Sequence, residues 1–233
     1  MKEPKPDFSN SAYLFPHINR EGVKFGAIAL AIAILFAVLS AAFLPILSVL
    51  TLPLFLLAYG VFLFFRDPDR YPPEDEKAIL SPADGRICLI SEEELPDGLA
   101  DGTKHWRVSV FMSVFNVHVN RLPTAGTIEK KEYIAAGKFF NASLDKASKE
   151  NERCNYLVKA DNGQVYGVTQ IAGLVARRIV PQVADGDHLE RAERFGLIRF
   201  GSRLDVYLPE GVKPEVRVGQ IMVAGETVLA HLS

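Results

Sequence analysis

Arg199-Phe-Gly-Ser-Arg-Leu-Asp-Val-Tyr-Leu-Pro209 reads as a β-strand that opens at Ser202, directly behind a glycine. A serine preceded by glycine can attack the glycine carbonyl with little hindrance, because glycine has no Cβ and tolerates unusual backbone angles. That attack turns the amide into an ester. Elimination then breaks the chain and leaves dehydroalanine, which hydrolyses to an N-terminal pyruvoyl group. Most Gly-Ser pairs are ordinary turns, so the weight of Gly201–Ser202 rests on the rest of the chain.

Outward from this strand the pattern is one of short strands and turn signals. Candidate strands cover Arg86–Ile90, His105–Phe111, Gly126–Glu132, Arg153–Ala160, Val165–Ile171, Ile198–Phe200, Arg203–Leu208 and Val228–Leu232. Asn162-Gly163, set between two apolar runs, predicts a hairpin. Val183–Glu193, where Asp-Gly-Asp-His precedes Leu, Ala and charged residues, predicts a turn and one short helix. The glycine-rich tail Val218–Ala230 has the two-strand look of barrel-sandwich domains. A compact, mainly β domain of barrel or sandwich type follows.

The N-terminal part differs sharply. From Phe25 to Phe65 there is no Asp, Glu, Lys, Arg or His, a stretch about twice the ~20 residues that one membrane-spanning helix needs. Pro45 and Pro53 interrupt it, which predicts two helices in a hairpin. Arg20 and Lys24 precede the run and Arg66 and Arg70 follow it, so both ends are expected on the cytoplasmic face of the cell (inner) membrane. The run begins too late and is too long for a cleaved signal peptide. Residues 1–24 read as a cytoplasmic N-terminal segment, 25–65 as the membrane hairpin and 66–233 as the soluble domain. Asp67–Glu76, polar and proline-rich, marks the boundary.

Composition removes other classes. The 233 residues carry a formal net charge of −2, so no basic footprint argues for nucleic acid. Cys88 and Cys154 are far apart, lack metal-ligand spacing and read as reduced, buried thiols.

Three further segments carry the functional signal: Ile79-Leu-Ser-Pro-Ala-Asp-Gly-Arg86, Phe111-Met-Ser-Val-Phe-Asn-Val-His-Val-Asn-Arg-Leu-Pro123, and Phe139-Phe-Asn-Ala-Ser-Leu-Asp-Lys-Ala-Ser-Lys-Glu-Asn-Glu-Arg153. In this order, with Gly201–Ser202 behind a hydrophobic N-terminus, they resemble the phosphatidylserine decarboxylase proenzyme family, most closely its short bacterial and archaeal type. The resemblance runs from about Arg66 to the end. It implies a β-rich fold related to the duplicated hybrid motif. It also implies that the peptide bond after Gly201 is cut, giving a heavy chain 1–201 and a light chain 202–233. Ser202 then becomes the pyruvoyl group, which forms a Schiff base with the serine headgroup and serves as electron sink for loss of carbon dioxide. No metal and no pyridoxal phosphate is required. Asp84 matches the family's self-cleavage aspartate and His118 its functional histidine. Together they fit the logic of a carboxylate orienting an imidazole that takes a hydroxyl proton. Some members carry a second histidine three residues on; here that position is Arg121, beside Asn120.

The same resemblance implies phosphatidylserine in the membrane as substrate, phosphatidylethanolamine as product, and no nucleic-acid partner; a homo-oligomer is compatible with it. Archaetidylserine or another serine-headed lipid is the rival within this chemistry. A non-enzymatic membrane-anchored carrier would need an exposed hairpin-tip lysine, where the tail has Gln220-Ile-Met222. A zinc peptidase would need clustered ligands, and His105, His118, His188 and His231 are dispersed. His105, His188 and His231 read as structural or exposed. Glu150–Arg153 and Arg177-Arg178 are polar groups that a headgroup site could use.

Overall fold

The structure is a computed structural model that describes residues 17–42, 45–96, 98–135, 151–173, 178–199 and 201–232. The chain divides into one unit ending at Asp69 and a second running from Arg70 to Ser233.

The first unit is a helical hairpin. Strand β1 (His17–Ile18) pairs with β2 (Arg66–Asp67), helix α1 spans Arg20–Ala42, and α2 spans Ser48–Phe64 after a single 3-10 turn at Pro45–Leu47. Asn19 caps α1: its side-chain oxygen accepts from the Glu21 amide at 3.1 Å, satisfying one of the orphan donors of the first turn. The helices approach through small residues. A Cβ added at Gly22 would lie 2.1 Å from Phe65 Cβ, and one added at Gly26 would lie 2.3 Å from the Phe62 ring. Gly22, Gly26, Ala33 and Ser40 are the buried positions of α1, a small-residue stripe of the kind that lets helices pack closely in lipid. The outward faces are apolar, with Ile28, Leu35, Val38, Leu52 and Leu56 exposed. By length and composition α1 is able to cross a membrane, and α2 is shorter at 17 residues. This apolar helix points to membrane association. One expectation is adjusted: Pro53 lies inside α2 and does not interrupt it, while α1 starts at Arg20, ahead of the apolar run.

The second unit is built of antiparallel strands: β3 (Ala78–Leu80), β4 (Gly85–Glu94), β5 (Lys104–Met112), β6 (Val119–Arg121), β7 (Gly126–Ile134), β8 (Arg153–Ala160), β9 (Val165–Ala172), β10 (Arg178–Pro181), β11 (His188–Leu189), β12 (Arg194–Arg199), β13 (Ser202–Tyr207), β14 (Ile221–Met222) and β15 (Val228–His231). Eight of them form one sheet in the order β11-β7-β8-β9-β13-β5-β4-β14; β10-β12-β6 and β15-β3 form two smaller sheets. These open, stacked sheets make a sandwich-like β domain.

The Asn162-Gly163 signal sits at the β8–β9 turn, where Gly163 takes a left-handed φ of 88° and Lys159 pairs with Val165. One face of the large sheet carries Val108, Val110, Met112, Val158, Val168, Leu204 and Val206 into the apolar core. Both faces of β13 are buried.

Val183–Glu193 departs from the expected turn and short helix. Ala184 donates to Asp187 Oδ2, Gly186 adopts φ 89°, and His188–Leu189 then forms an edge strand on Thr127 and Gly126 of β7. Backbone pairing to an open sheet edge outweighs the helix-forming residues that follow.

Candidate active site

Ser202 opens the central strand of the large sheet. It lies opposite Met112 of β5 on one side and Ala172 of β9 on the other. Residues directly opposite in antiparallel strands share a face, so the serine side chain points with Met112 and Ala172 into the core. Ser202 is 0% exposed, and its Oγ makes no hydrogen bond among the described residues. An unsatisfied buried hydroxyl costs about 1–3 kcal/mol and calls for an explanation. The preceding Gly201 has φ 64°, and among the described residues outside its chain neighbours nothing lies within 4 Å of a Cβ built there.

A Gly201→Ala chain meets no side-chain clash with the described residues, and the left-handed conformation itself costs about 1–2 kcal/mol. We predict slower appearance of two fragments than in the unaltered protein, followed by gel over time. In a Ser202→Ala background the same change should lower the melting temperature. Equal cleavage rates would show that the left-handed turn is not used.

His118 is brought to this end of the sheet by β12. Leu197 pairs with Val119, and the Ile198 amide donates to the His118 carbonyl at 3.3 Å, four residues before Ser202 in the chain. The tight turn Ser113–Asn116 leads from Met112 back to His118, closed by the Asn116 amide on the Ser113 carbonyl and by Asn116 Oδ1 on the Ser113 amide. His118 is 2% exposed, and its Nδ1 lies 2.9 Å from the Asn116 carbonyl. A carbonyl only accepts, so Nδ1 carries the proton. When the ring is neutral, its lone pair then sits on Nε2, the tautomer of a general base.

Asp84 stands one residue before β4. A Cβ on Gly85 would lie 2.2 Å from the Phe111 carbonyl oxygen, so only glycine allows this approach. Arg86 pairs with Phe111; extended by one residue, that register puts Gly85 in the row of Met112 and Ser202. Asp84 thus reaches the same end of the sheet, but its carboxylate is turned to Arg70, which donates to both oxygens at 2.9 and 2.8 Å. Oδ1 also accepts from the Ala224 amide at 2.8 Å. The fold gathers Ser202, His118 and Asp84 at one sheet end, while the aspartate is held by an arginine and a backbone amide rather than by an imidazole.

Sequence reasoning missed two parts of this region. Arg70 entered only as a flanking charge of the membrane run. Asn120 entered only as a neighbour of Arg121, although His118 and Asn120 are spaced i, i+2 in an extended segment and so share a face. Arg121 itself is buried and donates to the Ala192 carbonyl at 3.0 Å. The third motif lies largely outside the described residues, as do Glu150 and Arg177. Its described end is anchored beside Ser202's neighbour: Asn151 Nδ2 donates to the Ala172 carbonyl at 2.7 Å. Glu152 is buried and accepts from Tyr133 at 2.6 Å and from the Ile179 amide at 2.8 Å. Burial and this bond push the Tyr133 hydroxyl up to about 12. Arg178 is exposed.

The remaining histidines of the second unit lie elsewhere. His105 is buried against the Leu208 carbonyl and Asp101, His188 meets Asp161 at the surface, and His231 is held by Glu215 and Asp75. Cys88 and Cys154 are free thiols. Burial pushes both up, Cys154 to about 11, which leaves them protonated and poorly nucleophilic. Among the described residues, no group of three or more His, Cys, Asp or Glu side chains could hold a metal ion. A cleft of about 540 Å³ is lined by Lys77, Thr124, Asp161, Asn162, Glu190 and Arg191, among others. It lies by the β8–β9 turn, whereas Ser202 pairs at the far end of β9, roughly 20 Å away at ~3.3 Å per residue. The cleft is not part of the serine site.

The family profile described as Phosphatidylserine decarboxylase matches residues 58–230. A protein of Erythrobacter litoralis (strain HTCC2594) named Phosphatidylserine decarboxylase proenzyme is 50% identical over 233 residues, covering 95% of this chain and 90% of the relative. A protein of that name from Novosphingobium aromaticivorans is 51% identical over 232 residues, covering 95% and 89%. One from Ruegeria pomeroyi is 58% identical over 171 residues, covering 72% and 77%.

Proposed function

Because this chain belongs to the phosphatidylserine decarboxylase family, we propose that it is a self-processing carboxy-lyase that converts phosphatidylserine to phosphatidylethanolamine in the membrane. The observation that carries the reading is Ser202: a buried hydroxyl without a hydrogen-bond partner among the described residues, directly behind a glycine in a left-handed turn.

In this reading the chain is cut between Gly201 and Ser202, and residue 202 becomes the pyruvoyl group. Ser202 Oγ adds to the Gly201 carbonyl carbon while His118 Nε2 takes the hydroxyl proton. The C–N bond breaks as the Ser202 nitrogen is protonated, leaving an ester. Removal of the Ser202 Hα then expels Gly201 as a carboxylate, and water replaces nitrogen as ammonia. The heavy chain is 1–201 and the light chain 202–233. The pyruvoyl group supplies a ketone for the substrate amine and an electron sink for decarboxylation. His118 is the acid that returns a proton to the substrate Cα, and Asp84 orders the junction through Arg70 and the light chain's Ala224 amide.

We further assign 1–24 to the cytoplasm, 25–65 to a hairpin in the cell (inner) membrane and 66–233 to the decarboxylase domain on the cytoplasmic face. The charges at Arg20, Lys24, Arg66 and Arg70 support that orientation. Tethering the domain to the bilayer that holds its lipid substrate raises the effective concentration of each for the other.

Intact mass spectrometry of the detergent-solubilised protein tests the processing, and carbon dioxide release from phosphatidylserine vesicles tests the activity. The expected species are Met1–Gly201 and a Ser202–Ser233 chain lighter by one ammonia. A single uncut chain that releases no carbon dioxide overturns the reading.

A further inference from the structure

Tyr156, Gln170 and Asn120 form a hydrogen-bonded chain inside the apolar core. The Tyr156 hydroxyl donates to Gln170 Oε1 at 2.7 Å, and Gln170 Nε2 donates to Asn120 Oδ1 at 2.8 Å. Tyr156 is 1% exposed and both amides are 0% exposed. Every bond in the chain runs the same way, so Asn120 Nδ2 is its terminal donor. What Nδ2 meets is the Met112 thioether at 3.6 Å, a weak acceptor. A buried amide donor is normally well satisfied, so this arrangement holds a strong donor against a poor partner.

The location gives it a purpose. Met112 is the cross-strand partner of Ser202 and shares its face of the sheet. Gln170 lies opposite Leu204, the next residue of β13 on that face. Asn120 also shares its face of the β6 segment with His118. Gln170 pins Oδ1, so the amide cannot rotate and Nδ2 stays directed at the Met112–Ser202 row.

We propose that Asn120 Nδ2 donates the hydrogen bond that stabilises the oxyanion formed when Ser202 Oγ adds to the Gly201 carbonyl. The proposal rests on Ser202 being the processing serine. In that step the Oγ–C bond forms, the carbonyl π electrons move to oxygen, and the hydroxyl proton passes to His118. The negative oxygen replaces the thioether as partner of Nδ2. Collapse of the adduct breaks the C–N bond and returns Nδ2 to Met112. A fixed donor of this kind acts on the charge that develops in the transition state, and removing one costs about 10²–10³ in rate.

The test is the rate at which full-length chain yields two fragments, followed by gel and intact mass, with melting temperatures taken in matched Ser202→Ala backgrounds. Asn120→Asp keeps the acceptor for Gln170 and removes the Nδ2 donor. At a pH where its carboxyl is ionised it should cleave about 100-fold more slowly and melt well below its background, because that form buries an unpaired charge; both should recover as the carboxyl is protonated at lower pH. Tyr156→Phe/Gln170→Met/Asn120→Leu removes the whole polar chain and leaves only the Cys154 thiol, a weak hydrogen-bonding group, without its Tyr156 partner; it should be equally slow. Where the triple variant does not fold, Asn120→Asp alone decides. An unaltered protein that cleaves beside variants cleaving equally fast overturns the proposal alone. An unaltered protein that never cleaves overturns the Ser202 reading and takes the proposal with it.

Discussion

Ser202→Ala is expected to leave one uncut chain, with carbon dioxide release from phosphatidylserine vesicles at the background of a protein-free control. The substitution deletes a single oxygen from a site where that oxygen has no hydrogen bond among the described residues, so the fold should be retained or slightly stabilised. On the proposed function it removes the nucleophile of the cleavage and the source of the ketone. No neighbour can replace it: the residues opposite Ser202 are Met112 and Ala172. Melting temperature and intact mass on one sample separate loss of chemistry from loss of structure. Fragments ending at Gly201 in this variant would place the nucleophile elsewhere.

The second large effect concerns stability. Arg203 and Asp205, spaced i, i+2 on the other face of β13, form a two-pronged ion pair. Arg203 Nε meets Oδ1 at 2.8 Å and a terminal nitrogen meets Oδ2 at 2.8 Å, with both residues 0% exposed. Arg107 stands 4.0 Å from Asp205 and is bonded to Glu93 at 2.9 Å. Asp205→Ala leaves two buried guanidinium groups facing each other across the vacated carboxylate. Breaking such a pair from one side costs about 3–5 kcal/mol, a large part of the 5–15 kcal/mol typical of a domain. In the uncut Ser202→Ala background, denaturant unfolding should show this loss or yield no folded protein. Arg203→Met/Asp205→Leu should recover most of it, because desolvated charge is removed with its partner. A loss below about 1 kcal/mol for Asp205→Ala would show that solvent reaches the pair.

What could be read from the sequence was what is local. The Asn162-Gly163 turn, the long strands and the apolar hairpin each announce themselves within a few residues. Strands β3, β10, β11 and β14 do not, because two to four residues carry no period of their own and exist through partners distant in the chain. The same reason explains Val183–Glu193, where the waiting edge of β7 decided the outcome. At the candidate site, Ser202, Asp84 and His118, which the fold places at one sheet end, are singled out by their motifs. Arg70 and Asn120 are not: an arginine after an apolar run reads as a topological charge, and an asparagine in an alternating segment has no signature until Gln170 is placed beside it.

The position of β13 has a consequence for the life of the protein after processing. The segment beginning at Ser202 is hydrogen-bonded on both sides, to β5 and β9, and its later residues supply β14 to β4 and β15 to β3. With the chain cut between Gly201 and Ser202, as proposed, every one of these pairings becomes an association between two molecules. The nascent chain closes them as loops within itself, at a modest entropic cost. A denatured mature protein must find them by collision, from a heavy chain whose sheet lacks its middle strand. On that proposal folding precedes maturation, and the mature protein is expected to persist by slow unfolding rather than by its ability to refold.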